Sequence, residues 1–421
     1  MAESSTTDQY LTTASFPGYS KRLLLSLLLG NIALFEVYAG FTGILLPSMV
    51  QAADPSNKVV NLAIVSGISA IFATVLNPLG GAWSDRTRSR WGRRTPWLIG
   101  AAIATLIGAV FLGFQTTISG ILIGWCLAQG MGNIYQAAIT AVVPDRVPPQ
   151  KRGTASAITG LGPMLGSLIG LAIAGFFIQT PWIAAALVGS LLVAAAFLFI
   201  FLAPEPRNSP LAGPAESNSS LTVRTFFSSL THHDFRFIFT SRLLLMLGYF
   251  IVQGYFFYLL QDYIHIERYS LQPEKGLLIM SLVASAGSFI TIVLGGFISD
   301  RTGQRKVYVI TAAAFTGLIM LIPRIWPTWP AFLLFSALLG LGFGLYMTVS
   351  TAVATLVLPK SEDNARDMGI FNIANVGPLI IAPFISAIII STLGGYPTLF
   401  IWAGILATLG GLAILPIRSV R

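Results

Sequence analysis

The sequence predicts an all-α integral membrane protein with twelve transmembrane helices arranged as two pseudo-symmetric six-helix bundles. Three observations lead there. The 421-residue chain is 54 % hydrophobic and only 10 % charged, with a mean hydropathy of +0.76. A soluble chain is about 25 % charged and needs that polar surface to coat its globule. Apolar runs of about 20 residues, long enough to cross the hydrocarbon core, recur along the chain. Finally, a charged stretch lying between two such runs in the first half returns in the second.

The first copy of that stretch runs from Gly81 to Trp97 and holds five arginines and one aspartate. The second is Gly296-Phe297-Ile298-Ser299-Asp300-Arg301-Thr302-Gly303-Gln304-Arg305-Lys306. Both contain Gly-x-x-x-Asp-Arg-Thr followed by a glycine and a basic pair, half a chain apart. This internal repeat divides the twelve spans into two sets of six.

The pattern Gly-x-x-x-Asp-Arg-x-Gly-x-Arg-Lys resembles the loop 2–3 signature of the major facilitator superfamily, which recurs at loop 8–9. The resemblance covers the whole chain. In the first copy the glycine arrives late, giving Asp85-Arg86-Thr87-Arg88-Ser89-Arg90-Trp91-Gly92-Arg93-Arg94. That extended form is similar to the loop of glycoside–pentoside–hexuronide symporters and plant sucrose transporters. The resemblance implies bundles related by a pseudo-two-fold along the membrane normal, a solute site between them near mid-membrane, and alternating access by rocking. It also assigns Gly81, Asp85, Arg86, Arg93 and Arg94, with Gly296, Asp300, Arg301, Arg305 and Lys306, to a conformational latch. A glycine at the end of span 2 is expected to admit a neighbouring helix closely, and Asp85 to cap a helix or pair with an arginine. The competing reading is that basic loop residues only orient the chain. Aspartate adds nothing to orientation, yet it occurs in both copies.

A pI near 9.8 and a net charge of +9 invite a nucleic-acid reading. The basic residues, however, sit in short loops between apolar runs, where they set membrane orientation. With the amino terminus inside, all of the 25 Lys and Arg except Lys58, Arg268, Lys275 and Arg324 fall on the inner side. The expected partners are therefore the lipid bilayer and a small-molecule solute, with no nucleic acid, and the expected functional unit is a monomer. The expected setting is a bacterial inner (plasma) membrane with both termini cytoplasmic. Cys126 is the single cysteine, which excludes an intramolecular disulfide and a cysteine zinc site. His232 and His233 are adjacent and His265 falls on the outer side, so no histidine pair has metal-ligand spacing and no metal site is expected. No catalytic constellation is present, so the chain does not read as an enzyme and no cofactor is expected.

In chain order, residues 1–21 read as a cytoplasmic tail without the charged start, short apolar core and cleavage site of a removable signal. The first apolar run is then an uncleaved anchor. Residues 22–203 form the first six-helix bundle, with spans near 22–46, 60–83, 95–114, 118–142, 154–178 and 182–203. Residues 204–235, rich in Pro, Ser and Asn, form a cytoplasmic linker with one short interfacial helix near Val223–Leu230. The second bundle is 236–417, with spans near 236–260, 276–298, 307–326, 329–356, 368–391 and 396–417, followed by a short tail, 418–421. Pro47–Val59 and Gln261–Lys275 are the longer outer loops. The mechanism must therefore lie inside the membrane.

Glu36 is the only acidic residue well inside a span. An ionised carboxylate there costs several kcal/mol, so the group is protonated, paired or facing a wet cavity. It is the candidate proton-coupling residue; the alternative is a protonated acid bonded to a neighbouring helix. On the same span Asn31, Phe35, Tyr38 and Thr42 share a face, with Glu36 about 140° from Asn31. Arg242 is the candidate counter-charge, unless it snorkels to the inner headgroups. It forms a stripe on span 7 with Tyr249 and Gln253.

Span 4 has the clearest pattern: Gln129, Asn133, Gln136 and Thr140 lie on one side of the helix. Lipid penalises such groups, so they line a cavity or bond to adjacent helices. Span 11 adds Asn372 and Asn375, with Pro378 able to break or bend the helix beside them. Asn31, Tyr38, Gln129, Asn133, Gln136, Tyr249, Gln253, Asn372 and Asn375 are the candidate substrate-binding residues. In span 2, Ser66, Ser69 and Asn77 share a face but read as ordinary packing. On span 5, Gly160-Leu161-Gly162-Pro163-Met164-Leu165-Gly166-Ser167 partly resembles the motif of drug:proton antiporters, with Ser167 where a second Gly is usual. A glycine run of this kind is also a close-packing face.

The function these readings support is secondary active transport: symport of a small polar, sugar-like solute driven by the proton gradient through Glu36. Proton is preferred to sodium because a single buried carboxylate is too few for a sodium cage. A proton-coupled drug or amphipath exporter is the alternative, and a non-transporting receptor of the same fold is the remote one.

Overall fold

The computed structural model describes residues 19–204, 227–302, 304–357 and 364–418. These residues are helical or in turns, with no strand among them. Twelve principal helices follow in order: α1 Lys21–Ala53, α2 Lys58–Arg86, α3 Thr95–Gly113, α4 Ile118–Arg146, α5 Arg152–Phe176 and α6 Pro181–Leu202. The second set is α7 His233–Gln253, α8 Pro273–Thr302, α9 Arg305–Ile319, α10 Trp329–Leu356, α11 Asn364–Thr392 and α12 Tyr396–Leu412. Ten of these carry stretches long and apolar enough to cross a membrane. The other two are α4, which bears the polar stripe, and the 17-residue α12.

Several boundaries differ from the sequence expectation. The first helix does not end at 46 but continues to Ala53, absorbing most of the expected outer loop Pro47–Val59. Pro47 lacks an N–H and its ring crowds the preceding turn. The helix accommodates it by widening to a π turn over Phe41–Leu45 and resuming with Pro47 in the first turn of Leu46–Ala53. Span 7 stops at Gln253, seven residues early, and the chain turns at Gly254–Tyr255 before a short helix Phe256–Tyr258 and a π turn Leu259–Tyr263. Conversely, α11 is not broken at Pro378: it runs on through both Pro378 and Pro383. Prolines are tolerated in spanning helices where neighbours and hydroxyls take up the freed backbone groups. In the linker, a 3₁₀ turn occupies Phe227–Thr231. The rest of the expected interfacial helix, and most of the expected amino-terminal tail and linker, lie outside the described residues.

The chain divides into two compact units, Met1–Lys58 with Ile68–Glu216, and Val59–Gly67 with Ser217–Arg421. The expected bundles differ from these units by the first turns of α2, which group with the second. There the Tyr255 hydroxyl donates to the carbonyls of Val59 at 2.9 Å and Pro383 at 3.3 Å.

Lipid tails are as apolar as leucine, so helices in a bilayer associate by close packing rather than by the hydrophobic effect. In the first unit the tightest seam is α1 against α5. Gly166 and Gly170 lie directly on the backbone of Ile32 and Glu36, where an added Cβ would fall on the carbonyl oxygens. The glycine run of α5 is thus a packing face. Helix α10 meets α8 in the same way in the second unit, Gly340 resting on the Ala284 carbonyl. A buried cluster including Phe235, Leu245, Val309, Tyr346, Phe371 and Ile414 joins α7, α9, α10, α11 and the end of α12. Gly81 does not have its expected role: nothing lies within 4 Å of a Cβ built there, and its neighbour Gly80 makes the close approach, to Ile134 of α4. One residue turns a helix by about 100°, enough to move the contact to the adjacent glycine.

Gly170→Val should cost about 1–3 kcal/mol through overpacking and lower the thermal midpoint of the detergent-purified protein. Gly160→Ala, where a Cβ meets open space, should leave the midpoint unchanged or slightly raised.

Candidate functional site

The intramembrane polar groups of the first unit gather where α1, α2 and α4 meet. Asn133 is the junction: its Nδ2 donates to Tyr38 Oη at 3.0 Å and to the Gln129 carbonyl at 3.0 Å. Asn77 Nδ2 in turn donates to the Asn133 carbonyl and Oδ1, each at 3.3 Å. Asn77 thus bonds across to α4, in keeping with the packing reading of its face of span 2. The stripe on α4 divides its work. Asn133 bonds between helices, whereas Gln129 keeps a buried Oε1 without a partner and the Gln136 side chain makes no hydrogen bond among the described residues. Thr140 turns back to the Gln136 carbonyl at 2.7 Å. Asn31 stands apart, its Nδ2 bonded to the Leu27 carbonyl at 2.8 Å and its Cβ pressed on Gly162.

Glu36 lies on the α1–α5 seam. Its side chain is 2 % exposed, and Oε1 has no hydrogen-bond partner. Among the described residues it forms no ion pair, and no neighbouring helix supplies the hydrogen bond of the alternative reading.

In the second unit Arg242 is likewise enclosed, at 2 % exposure, so it does not snorkel to the headgroups. Its guanidinium lies over the rings of Tyr346 at 5.6 Å and Phe371 at 5.2 Å. Nη1 meets Met347 Sδ at 2.7 Å, Nη2 donates to Thr351 Oγ1 at 2.8 Å, and Nε has no partner. A buried cation held by aromatic faces is stabilised by their quadrupoles, yet its charge stays uncompensated. Along the same helix Tyr249 stacks on Phe343 at 4.4 Å, and Gln253 is exposed at the helix end. On α11, Asn375 Nδ2 donates to Asn372 Oδ1 at 3.2 Å, leaving Asn375 Oδ1 buried and unpartnered.

The charged loop after α2 closes on an acid that sequence reading missed. Arg94, 5 % exposed, reaches Asp85 Oδ1 at 2.6 Å, Asp145 Oδ2 at 2.9 Å and the Ser84 hydroxyl. Arg93 Nη2 joins the same Asp145 oxygen at 2.7 Å. Asp145 ends α4, in Val143-Pro144-Asp145-Arg146, so the network ties α2, α3 and α4 together inside one unit. In the second copy Lys306 Nζ donates to the carbonyls of Leu415 at 2.6 Å and Ile417 at 2.8 Å, holding the chain after α12. Arg301 is exposed and Arg305 half-buried, while the surroundings of Gly296 and the side chain of Asp300 are not among what the structure describes. A further acid, Asp367, is fully buried at the start of α11 and bonds the Ser229 hydroxyl of the linker turn. It lies one residue outside the expected span, where an acid looks like an ordinary loop residue.

The sequence profile described as Major Facilitator Superfamily matches residues 27–295 and 273–421. The chain belongs to the major facilitator superfamily. It is a multi-pass integral membrane protein of a transporter family. It is similar to the hexuronate transporter of Bacillus subtilis, at 24 % identity over 93 % of this chain and 94 % of that one. It is also similar to the multi-drug resistance efflux pump PmrA of Streptococcus pneumoniae, at 26 % identity over 70 % of each. A 118-residue segment is 36 % identical to the human proton-associated sugar transporter A, covering 27 % of this chain and 15 % of that protein. Among solved structures, a point mutant of a peptide transporter POT superposes with a TM-score of 0.75 over 98 % of this chain and 99 % of that chain, at 15 % identity. That likeness establishes the shared fold.

Within this superfamily member, Asp145 holds both Arg93 and the nearly buried Arg94, whereas Asp85 meets Arg94 alone. Asp145→Asn should therefore cost about 1–3 kcal/mol and lower the thermal midpoint. Asp85→Asn, at a carboxylate 56 % exposed, should cost under about 1 kcal/mol. Equal losses from the two would contradict the hub assignment.

Proposed function

We propose that this chain is a proton-coupled symporter of a small, polar, sugar-like solute, working by alternating access and driven by the proton gradient without a cofactor. The observation that carries the reading is Glu36, a carboxyl enclosed inside a span with an oxygen that has no partner. Such a group is costly to keep unless it works, and intramembrane acids serve as proton relays. A proton taken up where the site meets one medium is released where it meets the other. One enclosed carboxyl suits a proton better than a sodium ion, because hard cations are held by several oxygen ligands at once. The expected setting remains a bacterial inner membrane, with both termini cytoplasmic and the monomer as the working unit.

The solute class is supported by polar groups within each unit. Gln129, Gln136 and Asn375 offer amide donors and acceptors with capacity to spare, which fits hydroxyl-rich molecules. Arg242 adds a positive charge with no acidic partner among the described residues, so an acidic sugar would neutralise it. The similarity to a hexuronate transporter and to a proton-associated sugar transporter supports the same class. The similarity to PmrA keeps an exporter of lipophilic drugs as the competing reading. The α5 glycine run does not add to it, because α1 packs on those glycines.

The first test is thermal stability of the purified protein against neutral sugars, sugar acids and lipophilic cations at pH 5.5 and pH 8. A solute at about 100 times its dissociation constant stabilises by about 2.7 kcal/mol. Sugars or sugar acids should stabilise, and stabilisation by lipophilic cations alone would move the assignment to the exporter. In proteoliposomes with an imposed inward proton gradient, the wild type should accumulate the stabilising solute. Glu36→Gln should lose gradient-driven accumulation and its dependence on pH while retaining solute exchange. Undiminished accumulation by Glu36→Gln would overturn proton coupling through this residue.

A further inference from the structure

The end of α2 that leads into the charged loop carries a surface to which no solute or proton role has been given. Val75, Leu79 and Trp83 are 53 %, 41 % and 41 % exposed, and with Arg86 they recur every three or four residues down one side of the helix. In a membrane-spanning helix, an exposed apolar stripe is the side that meets acyl chains. From Val75 to Arg86 it runs about 16 Å at 1.5 Å per residue, close to one leaflet's share, about 15 Å, of the hydrocarbon core.

The stripe ends at a shallow, open recess of about 340 Å³ lined by Trp83, Arg86, Thr87 and Trp97. Its walls are held in place. Trp83 and Trp97 stack with ring centroids 5.7 Å apart, Trp97 Nε1 donates to Thr87 Oγ1 at 2.7 Å, and Thr87 Oγ1 donates to the Trp83 carbonyl at 2.8 Å. Its mouth is cationic. Asp85 and Asp145 are both engaged by Arg94, and Asp145 by Arg93 as well. Arg86 is exposed and makes no ion pair among the described residues.

The geometry points to a binding site for one anionic phospholipid, with its phosphate at Arg86 beside the stacked tryptophans and an acyl chain along Leu79 and Val75. A guanidinium matches phosphate oxygens in two parallel hydrogen bonds. Indole rings favour the headgroup level of the bilayer. The continuity of apolar stripe and cationic recess distinguishes a lipid from a soluble anion, which would use the recess alone. Trp97 also sits three residues from Arg94, so the occupied recess abuts the Arg94–Asp145 network.

The test is native mass spectrometry of the full-length protein released from mixed phosphatidylglycerol–phosphatidylcholine micelles. Wild type should retain one phosphatidylglycerol that Arg86→Gln retains about fivefold less, the weight of one basic side chain at an anionic surface. Leu79→Ser, which leaves the charges unchanged, should also reduce retention. Retention of phosphatidylcholine should be equal in all three proteins, and excess glycerol phosphate should not displace the lipid. Equal phosphatidylglycerol retention by wild type and Arg86→Gln would overturn the site. Displacement by glycerol phosphate, or indifference to Leu79→Ser, would overturn the lipid assignment in favour of a soluble phosphate.

Discussion

Hydrocarbon offers no hydrogen-bond partner, and this constraint organises the molecule. Most hydroxyls in the spans fold back on their own helix, as Thr105 does to the Ala101 carbonyl at 2.8 Å and Thr316 to the Ala312 carbonyl at 2.8 Å. Asn77, Asn133 and Tyr38 satisfy one another across three helices. Against that background, the buried oxygens of Glu36, Gln129, Asn375, Tyr135 and Thr328 and the Nε of Arg242 are unpartnered. Each costs about 1–3 kcal/mol. Those of Glu36, Gln129, Asn375 and Arg242 fall on the candidate transport residues, which is why they frame the transport proposal.

The same constraint explains how the helices hold together. With no solvent-driven force between them, α1 and α5 gain contact by removing side chains from the seam, leaving glycine against the Ile32 and Glu36 backbone. Glu36 is thus carried on the tightest seam of the first unit. Its carboxyl position is set by backbone packing rather than by a partner side chain, which leaves the carboxyl itself available for a proton.

The charged loop obeys different physics because it lies at the membrane edge. Of its five arginines, Arg93 and Arg94 converge on Asp145, with Arg94 also holding Asp85. Arg86 lines the tryptophan recess and Arg90 lies over Trp91 at 5.7 Å. A run that looks uniform in sequence thus separates into cations paired with acids and cations left at the surface.

Local physics made much of this legible. Span length, the repeated Asp-Arg-Thr loop and the i, i+4, i+7 stripe on α4 depend on helix periodicity and hydrocarbon thickness, which one sequence suffices to apply. The membrane helices and the burial of Glu36 inside a span followed. What a single sequence could not decide was which groups meet across helices. Asp145 and Asn77 carry no local mark of their partners, since Arg94 is 51 residues from the first and Asn133 56 from the second. Arg242 could have reached the headgroups by its position alone; only the rings of Tyr346 and Phe371, brought from α10 and α11, enclose it. Gly80 rather than Gly81 touches α4 because a rotation of about 100° per residue decides which neighbour faces the partner helix. Composition and periodicity therefore determined the membrane fold and its polar faces. Helix packing decided the pairings, because a contact's energy depends on the distance between two elements and not on the residue alone.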